Sequence, residues 1–309
     1  MELRNQTAFL EFHLLGMTND PKLQPLIYGI FLCIYLVTIL GNIVIFLAIC
    51  SDSHLHTPMY FFLSILSIND MCLSTSTIPK MLVNIQAQNN KISYIQCISQ
   101  LSFVSIFSGM ENFLLAVMAY DRYVAICKPL MYTITMSPCC CAFFVLLCLL
   151  FSILDAVLHT VMVLQLSFCT NMEIHNFFCE LAQILKLACS DTFLNNLLIF
   201  VAVFIFAGGA FSGVILSYIY ILLSVFRMTS QTGKKKAFST CTSHMSVVFL
   251  FYGTGLGVYF SSSETEFTRH SALASVMYTV VPQILNPFIY SLRNRDMKKA
   301  FQKFIGWIS

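Results

Sequence analysis

Long apolar segments separated by short polar stretches dominate the hydrophobic pattern of this chain. Seven segments are each long enough to cross a bilayer as a helix, and they lie near residues 26–50, 58–80, 97–120, 140–164, 196–226, 237–260 and 272–292. The pattern shows neither the alternating short strands of a membrane barrel nor the repeated halves of many transporters. It therefore predicts an all-α membrane protein, a seven-transmembrane helix bundle.

The pattern also divides the chain into three regions. Residues 1–25 are predicted to form an extracellular N-terminus without the apolar core of a signal peptide, so the first span is expected to direct membrane insertion. Residues 26–292 form the seven-transmembrane domain. In the tail, residues 293–309, apolar side chains recur at helical spacing opposite lysines, which predicts a short amphipathic C-terminal helix on the inner leaflet.

Composition agrees with a membrane location. Of 309 residues, 58% are hydrophobic and only 10% are charged, with a mean hydropathy of +0.78. Soluble domains carry roughly a quarter charged residues. The net charge of +3 is too small, and the basic residues too scattered, to indicate nucleic-acid binding.

The distribution of charge predicts the orientation. With the N-terminus outside, eleven of the seventeen Lys and Arg residues lie on the inner side, while eight of the fourteen acids lie outside. Asn5-Gln6-Thr7 is a glycosylation acceptor that is useful only if the N-terminus is lumenal. We therefore expect an extracellular N-terminus, glycosylated at Asn5, and a cytoplasmic C-terminus.

Four of the thirteen cysteines, Cys97, Cys169, Cys179 and Cys189, fall on the predicted outer side. An even number of cysteines in an oxidising compartment favours disulfides, but spacing alone leaves three pairings open. Any pairing of Cys97 would attach the third span to the loop of residues 165–195.

Four ionisable residues lie inside predicted spans, where such groups usually face the interior of the bundle. Asp70 and Glu111 have similar depths, so their carboxyls either share a proton or hold a cation. Asp155 and His159 are one helical turn apart, which favours a mutual hydrogen bond, although His159 could also border a ligand site.

Several motifs in order identify a resemblance. They are Gly41-Asn42, the stretch Leu55-His56-Thr57-Pro58-Met59-Tyr60-Phe61-Phe62-Leu63, Pro79-Lys80-Met81-Leu82, Met118-Ala119-Tyr120-Asp121-Arg122-Tyr123, Leu187-Ala188-Cys189-Ser190, Ser217-Tyr218, Lys236-Ala237-Phe238-Ser239-Thr240-Cys241 and Asn286-Pro287-Phe288-Ile289-Tyr290. The chain resembles the mammalian-type olfactory receptors, within the rhodopsin-like G-protein-coupled receptors. Gln96 before Cys97 and Glu180 after Cys179 depart slightly from the usual residues.

The resemblance implies a function and several features. It implies an odorant receptor of the plasma membrane. This receptor would activate a stimulatory heterotrimeric G protein and thereby raise cAMP. It implies the disulfides Cys97–Cys179 and Cys169–Cys189, and a sodium ion beside Asp70 and Glu111. Retinal is not expected, since Val280 stands where a Schiff-base lysine would be needed.

The arginine motif of the resemblance implies an activation switch at the inner end. Its candidate residues are Asp121, Arg122, Tyr123, Tyr218, His244, Asn286, Pro287 and Tyr290. Residues 230–243 contain no acid that could hold Arg122 from the sixth span. We expect Asp121 and side-chain packing to hold Arg122 at rest, with His244 as a further contact.

Helical spacing counted upward from the switch predicts the ligand site. The candidate lining residues are Val104, Ser105, Ser108, Gly109, Asn112, Ala202, Phe206, Phe251, Tyr252, Gly255, Tyr259 and Thr279. This lining is apolar and aromatic with a few hydroxyls and no charge. It predicts a small, neutral, mostly apolar ligand.

Two other classes of function compete with this interpretation. A non-olfactory rhodopsin-like receptor is disfavoured for amines, which would require a carboxylate near Val104. A transporter or channel would explain the buried acids but predicts broken helices or a polar pore. No nucleophile motif, phosphate-binding loop or metal-ligand cluster indicates an enzyme.

Overall fold

A computed structural model describes residues 11–16, 20, 22–169, 172–227, 230–261, 275–293 and 297. The glycosylation acceptor at Asn5 lies outside these residues, as does almost all of the predicted C-terminal helix. Each of the seven predicted spans corresponds to a helical stretch.

The described residues include ten helices that differ widely in length. They are α1 (Gln24–Ser51), α2 (Pro58–Ala87), α3 (Tyr94–Cys127), α4 (Tyr132–Thr135), α5 (Pro138–Leu164), α6 (Leu181–Lys186), α7 (Phe193–Ala202), α8 (Gly208–Arg227), α9 (Gln231–Ser261) and α10 (Val281–Arg293). Residues 275–279, just before α10, are helical too. A π-helical turn, Val203–Ala207, joins α7 to α8 in the fifth span.

Local signals explain where several helices begin. The Ser93 hydroxyl accepts a hydrogen bond from the Gln96 amide (3.3 Å) at the start of α3, and Ser137 does the same for Cys140 (3.4 Å) in α5. These side chains satisfy amide groups that lack partners at a helix N-terminus. Proline, which needs no such partner, occupies the first position of α2 and α5.

A small three-stranded sheet, which the sequence pattern did not predict, lies over one end of the bundle. Strand β1 (Glu11–Leu14) is central, antiparallel to β2 (Lys91–Ser93) and parallel to β3 (Glu173–Ile174). Phe12 and Leu14 are buried and the residues that alternate with them are exposed, the period-two pattern of a strand with one covered face. The sheet therefore joins the N-terminal segment to two loops.

The third span is the centre of the bundle, since α3 packs against α2, α5, α8 and α9. In contrast, α1 and α5 bury only 22% of their most apolar windows. Within the described residues, five helical stretches are long and apolar enough to cross a membrane. They are α1, α2, α3, α5 and the continuous stretch Phe193–Arg227, which contains α7 and α8. Their exposed apolar side chains form the lipid-facing surface that such a helix requires.

Close packing between α1 and α10 explains the Gly41-Asn42 pair. A Cβ at Gly41 would lie 3.2 Å from the Pro287 Cβ, so a larger residue would push the helices apart. Next to it, the Asn42 amide donates to the carbonyls of Thr38 (3.0 Å) and Gln283 (3.4 Å). The pair thus fixes α10 beside α1.

The two ends of the bundle carry different features. We call the end with Cys97 and the sheet the disulfide end, and the end with Arg122 the arginine end.

Candidate functional site

Two disulfides hold the long loop at the disulfide end. Cys97 of α3 is bonded to Cys179, and Cys169 to Cys189, with Cα atoms 5.4 and 5.9 Å apart. These are the two pairs that the family resemblance implied. The Cys179 amide also donates to the Gln100 side chain (2.9 Å), so the loop follows the top of α3 closely.

The loop is attached on its other side through Glu180. One carboxylate oxygen accepts hydrogen bonds from Asn176 (2.7 Å) and Ser275 (3.1 Å), and the other accepts one from the Tyr278 hydroxyl (2.9 Å). Burial raises the pKa of Glu180, although these donors and Lys186 act in the opposite direction. We call Glu180, Asn176, Ser275 and Tyr278 the loop latch.

Between these attachments the loop places two aromatic side chains inside the bundle. Phe177 and Phe178 are almost completely buried and belong to an apolar cluster with Val104 and Val280. Val104, a predicted ligand-site residue, therefore lies directly beneath the loop.

Deeper in the bundle, Asn112 joins three helical stretches. Its amide nitrogen donates to the Phe206 carbonyl (3.3 Å), and its oxygen accepts from the Tyr252 hydroxyl (2.8 Å). That carbonyl belongs to the π-helical turn Val203–Ala207. The predicted ligand-site residues Asn112 and Tyr252 are thus brought together, with their polar groups engaged in helix–helix contact.

Two predicted ligand-site residues make contacts between helices in the structure, and their place in a ligand site stays a prediction. The Phe206 ring contacts Phe113 and Phe151 in a groove on the outside of the bundle between α3 and α5. A Cβ at Gly109 would meet Ser152 of α5 at 3.2 Å, so Gly109 allows two helices to approach.

The other predicted residues vary in position. Ser105, Ser108, Ala202 and Phe251 are half-buried, and Gly255 is exposed. Thr279 is fully buried, and its hydroxyl donates to the Ser275 carbonyl (2.6 Å). The side chain of Tyr259 lies outside the described part of the structure.

The buried acids form a cluster in the middle of the bundle. Asp70 and Glu111 have no exposed surface and are close enough to interact electrostatically. Asn286 donates to Asp70 (3.0 Å) and Gln283 to Glu111 (3.1 Å). One oxygen of each carboxyl accepts no hydrogen bond within the described residues. These free oxygens are the hard donors that a small cation prefers.

The second ionisable pair, His159 and Asp155, lies on α5. The His159 Nε2 is 3.5 Å from Asp155 Oδ1, and the histidine is buried. The two side chains lie close together, but Asp155 Oδ1 accepts no hydrogen bond within the described residues, so the predicted mutual hydrogen bond is not formed.

At the arginine end, Asp121 has a partner that the sequence interpretation did not include. Its carboxylate accepts a hydrogen bond from the Tyr132 hydroxyl of α4 (2.9 Å), whereas its distance to the Arg122 guanidinium is 3.8 Å. Burial, followed by the charge of Asp121, raises the pKa of Tyr132, so its hydroxyl remains protonated and able to donate. The loop helix α4 is thereby attached to the arginine motif.

Polar and aromatic side chains from other helices surround Arg122, which is 9% exposed. The Tyr218 hydroxyl is hydrogen-bonded to His244 Nδ1 (2.7 Å), joining α8 to α9. The Arg122 guanidinium lies close enough to interact electrostatically with Tyr218, His244 and Tyr290. His244 is thus bonded to Tyr218 and lies near the arginine. Tyr123 instead packs on Tyr220, with Lys128 over its ring.

Several residues of these sites were not predicted from the sequence, among them Tyr132, Gln283 and Glu180. Tyr132 lies eleven residues after Asp121, too far for a helical-spacing argument to connect them. Gln283 is one turn before Pro287, and a polar residue in an apolar span is a usable signal. Glu180 was noted as a departure from the usual residue, and its place beside a disulfide cysteine could have indicated a role.

The chain matches the olfactory receptor family over residues 31–306. It is 62% identical to human olfactory receptor 7G2 over all of this chain and 95% of that protein. It is also 57% identical to human olfactory receptor 7G3 over all of this chain and 99% of that protein, and 55% identical to the dog olfactory receptor-like protein OLF4 over 98% of each.

Among solved structures, squid rhodopsin aligns with a TM-score of 0.74 at 18% identity, covering 91% of this chain and 85% of rhodopsin. At that identity the likeness concerns the fold, and it confirms the seven-transmembrane bundle. The family is one of receptors rather than enzymes, and its members are multi-pass proteins of the plasma membrane that respond to odorants and couple to G proteins. The chain belongs to the olfactory receptor family.

Proposed function

We propose that this chain is an odorant receptor that binds a small, neutral, mostly apolar ligand inside the bundle and activates a stimulatory G protein, raising cAMP. The observation that carries the proposal is the junction of Asn112 with Tyr252 and the Phe206 carbonyl. This junction joins three spans between the disulfide end and the arginine end. A ligand that alters it would therefore act on α8 and α9, which surround Arg122.

The surroundings of that junction support the ligand class. Val104 and the loop residues Phe177 and Phe178 supply apolar surface above it, while Ser105 and Ser108 offer hydroxyls. The proposed lining contains no charged side chain. A charged ligand would therefore lose hydration without gaining an ion pair, whereas an apolar ligand gains free energy on transfer from water.

A screen of chemically diverse odorants in cells carrying a cAMP reporter tests the ligand proposal. For an active odorant, Ser105→Ala or Ser108→Ala should weaken potency by about fivefold or more, since one lost pocket contact is worth roughly 1–3 kcal/mol. Ser102→Ala is the matched control, because that hydroxyl is bonded to Thr160 of α5. Unchanged potency in both Ser105 and Ser108 variants would remove these residues from the ligand site.

The proposed coupling rests on population shift, in which a ligand acts through its differential affinity for resting and active states. The arginine end carries the Tyr218–His244 bond and the Tyr132–Asp121 bond, and both join Arg122 neighbours to elements that would have to move. Opening this end would expose Arg122 to a G protein. A ligand response in calcium without any change in cAMP would contradict the stimulatory type.

We also propose that the N-terminus is outside and the arginine end faces the cytosol. An N-terminal epitope tag should be reached by antibody on intact cells, and Asn5→Gln should remove an enzyme-sensitive glycan. Antibody binding only after permeabilisation would reverse the orientation.

The acid cluster supports a sodium ion beside Asp70 and Glu111. Each carboxyl has one oxygen without a hydrogen-bond donor in the described residues, and the surrounding Asn286 and Gln283 contribute further oxygens. Glu111→Gln removes one anionic oxygen donor and should abolish the sodium dependence of signalling. If that dependence persists unchanged in the variant, the ion is not bound there.

A further inference from the structure

A cavity of about 410 Å³ opens on the side of the bundle at the arginine end. Its walls come from the last turn of α1, the turn before α2, the first turns of α2, and Met136 with the first turns of α5. Most of the lining is apolar: Leu55, Pro58, Phe61, Met136 and Pro138 contribute to it. A cavity of this kind in the lipid-facing side of a membrane protein has the size and chemistry for a hydrocarbon chain.

Thiols are concentrated around this cavity. Cys50 lines it and is exposed, while Cys141 lines the opposite wall and is buried. Cys139 is exposed in the same first turn of α5 but does not line the cavity. Cys50 is therefore the accessible nucleophile positioned at an apolar slot, whereas Cys139 has the same exposure without the slot.

Cys50 also lies at the depth where an acylated cysteine is found. It is the second-last residue of α1, and Asp52 and the 3-10 turn Ser53–Leu55 follow it. The carboxylate of Asp52 caps that turn by accepting from the His54 amide (3.1 Å), which marks the start of polar structure. A thiol just inside such a boundary is a juxtamembrane cysteine, the usual substrate of reversible S-acylation.

We propose that Cys50 is an S-acylation site and that the attached long acyl chain occupies this cavity. The cysteine sulfur attacks the thioester carbonyl carbon of a long-chain acyl-coenzyme A. The new S–C bond forms as the bond to the coenzyme A sulfur breaks, and the thiol proton ends on the released coenzyme A thiol. No atom is oxidised or reduced in this exchange of one thioester for another. The donor is cytosolic, so the site rests on the orientation proposed above.

The acyl chain would have a structural consequence at the arginine motif. Met136, at the end of α4, belongs to the same apolar cluster as Leu55 and Cys141, and Tyr132 packs against that cluster. A chain in the cavity covers this cluster from the membrane side. It thereby supports the helix that supplies the Tyr132–Asp121 hydrogen bond.

The experiment expresses the full chain in cells and measures hydroxylamine-sensitive acyl groups by exchange for a mass tag. The wild type should carry the tag, Cys50→Ser should lose most of it, and Cys139→Ser should keep it. Cys33→Ser, which changes an exposed cysteine nearer the start of the same helix, is a second control. Retention of the tag in Cys50→Ser, or its loss in Cys139→Ser alone, would overturn the proposal.

A second variant tests the cavity separately from the thiol. Ala142→Phe would fill the cavity from the side of α5 and should lower the amount of mass tag on Cys50. Leu146→Phe changes an exposed residue one turn further along α5 and should leave that amount unchanged. Equal tagging in both variants would show that the cavity does not hold the chain. In the same samples, antibody binding to an N-terminal epitope on intact cells verifies the orientation. If the orientation is correct and Cys50 carries no mass tag, the result counts against this inference alone.

Discussion

At the residue scale, single buried polar groups define both ends of this receptor. Asp121 and Glu180 are each attached to a neighbouring element by neutral donors instead of a close ion pair. An acceptor or donor left unpaired in such a place costs about 1–3 kcal/mol, which is a large share of the stability of a protein. The hydroxyls of Tyr132 and Tyr278 are therefore as important to these sites as the acids.

Tyr132→Phe removes the donor to Asp121 and leaves a buried carboxylate oxygen unpaired. The resting attachment of α4 is weakened by about 1–3 kcal/mol. We expect higher ligand-independent cAMP at equal surface expression. Tyr120→Phe is the control, since that partly exposed ring makes aromatic contacts with Tyr123 and Phe144. Basal cAMP equal to that of the wild type would show that the bond does not restrain the switch.

The loop latch should make stability depend on pH. Because burial raises the pKa of Glu180, the protonated carboxyl is favoured in the folded state. This contribution is complete below the unfolded-state pKa and is lost as the pH rises through the higher folded-state value. Thermal unfolding of the purified receptor should therefore show extra stability at acid pH, which Glu180→Gln makes independent of pH.

Two further variants define the latch. Glu180→Ala should also remove the pH dependence and should lower stability by about 1–3 kcal/mol relative to Glu180→Gln, because it leaves the Asn176 and Tyr278 donors without their acceptor. Glu173→Gln changes an exposed acid of β3 and should reproduce the wild-type curve. A wild-type pH dependence that persists in Glu180→Gln would assign it to another group.

At the element scale, the contacts between helices explain where sequence reasoning succeeded. The seven spans follow from hydrophobicity because a bilayer allows few other arrangements. Arg122, Asp121, Asp70 and Glu111 could be identified because charge inside an apolar helix is expensive. The π-helical turn at Val203–Ala207 has no comparable signal in the sequence.

Short polar elements were the other gap between prediction and structure. The strand pattern around Phe12 and Leu14 is only four residues long, and its pairing with two distant loops depends on the disulfide-held loop for support. The attachment of Tyr132 to Asp121 likewise depends on how α4 folds back. Such contacts join residues distant in sequence or on separate elements, so no local periodicity reveals them.

Gly109→Val tests the contact between α3 and α5. The added side chain would overlap Ser152, whose hydroxyl oxygen would lie only 3.2 Å from a Cβ at this position, and overpacking of this kind costs about 1–3 kcal/mol. We expect a lower melting temperature, partly recovered by Ser152→Ala. Gly213→Ala, where nothing lies within 4 Å, should be neutral or slightly stabilising. An altered odorant potency with an unchanged melting temperature would instead indicate that Gly109 lines the ligand site.

At the scale of the whole molecule, α3 connects the two ends. Cys97 near its start holds the loop that carries Phe177 and Phe178, Asn112 in its middle contacts the fifth and sixth spans, and Arg122 lies near its end. The lipid-facing surfaces of α1 and α5 frame this axis without contributing polar groups to the Asn112 junction. A ligand at the junction and a G protein at Arg122 would thus act on the same set of helices.

The odorant-evoked cAMP response of Arg122→Ala, compared with wild type at matched surface expression, tests the switch most directly. We expect the variant to reach the surface, because the Arg122–Asp121 ion pair is long at 3.8 Å, and we expect its response to be abolished. A wild-type response from Arg122→Ala would contradict the assignment of Arg122 as the switch.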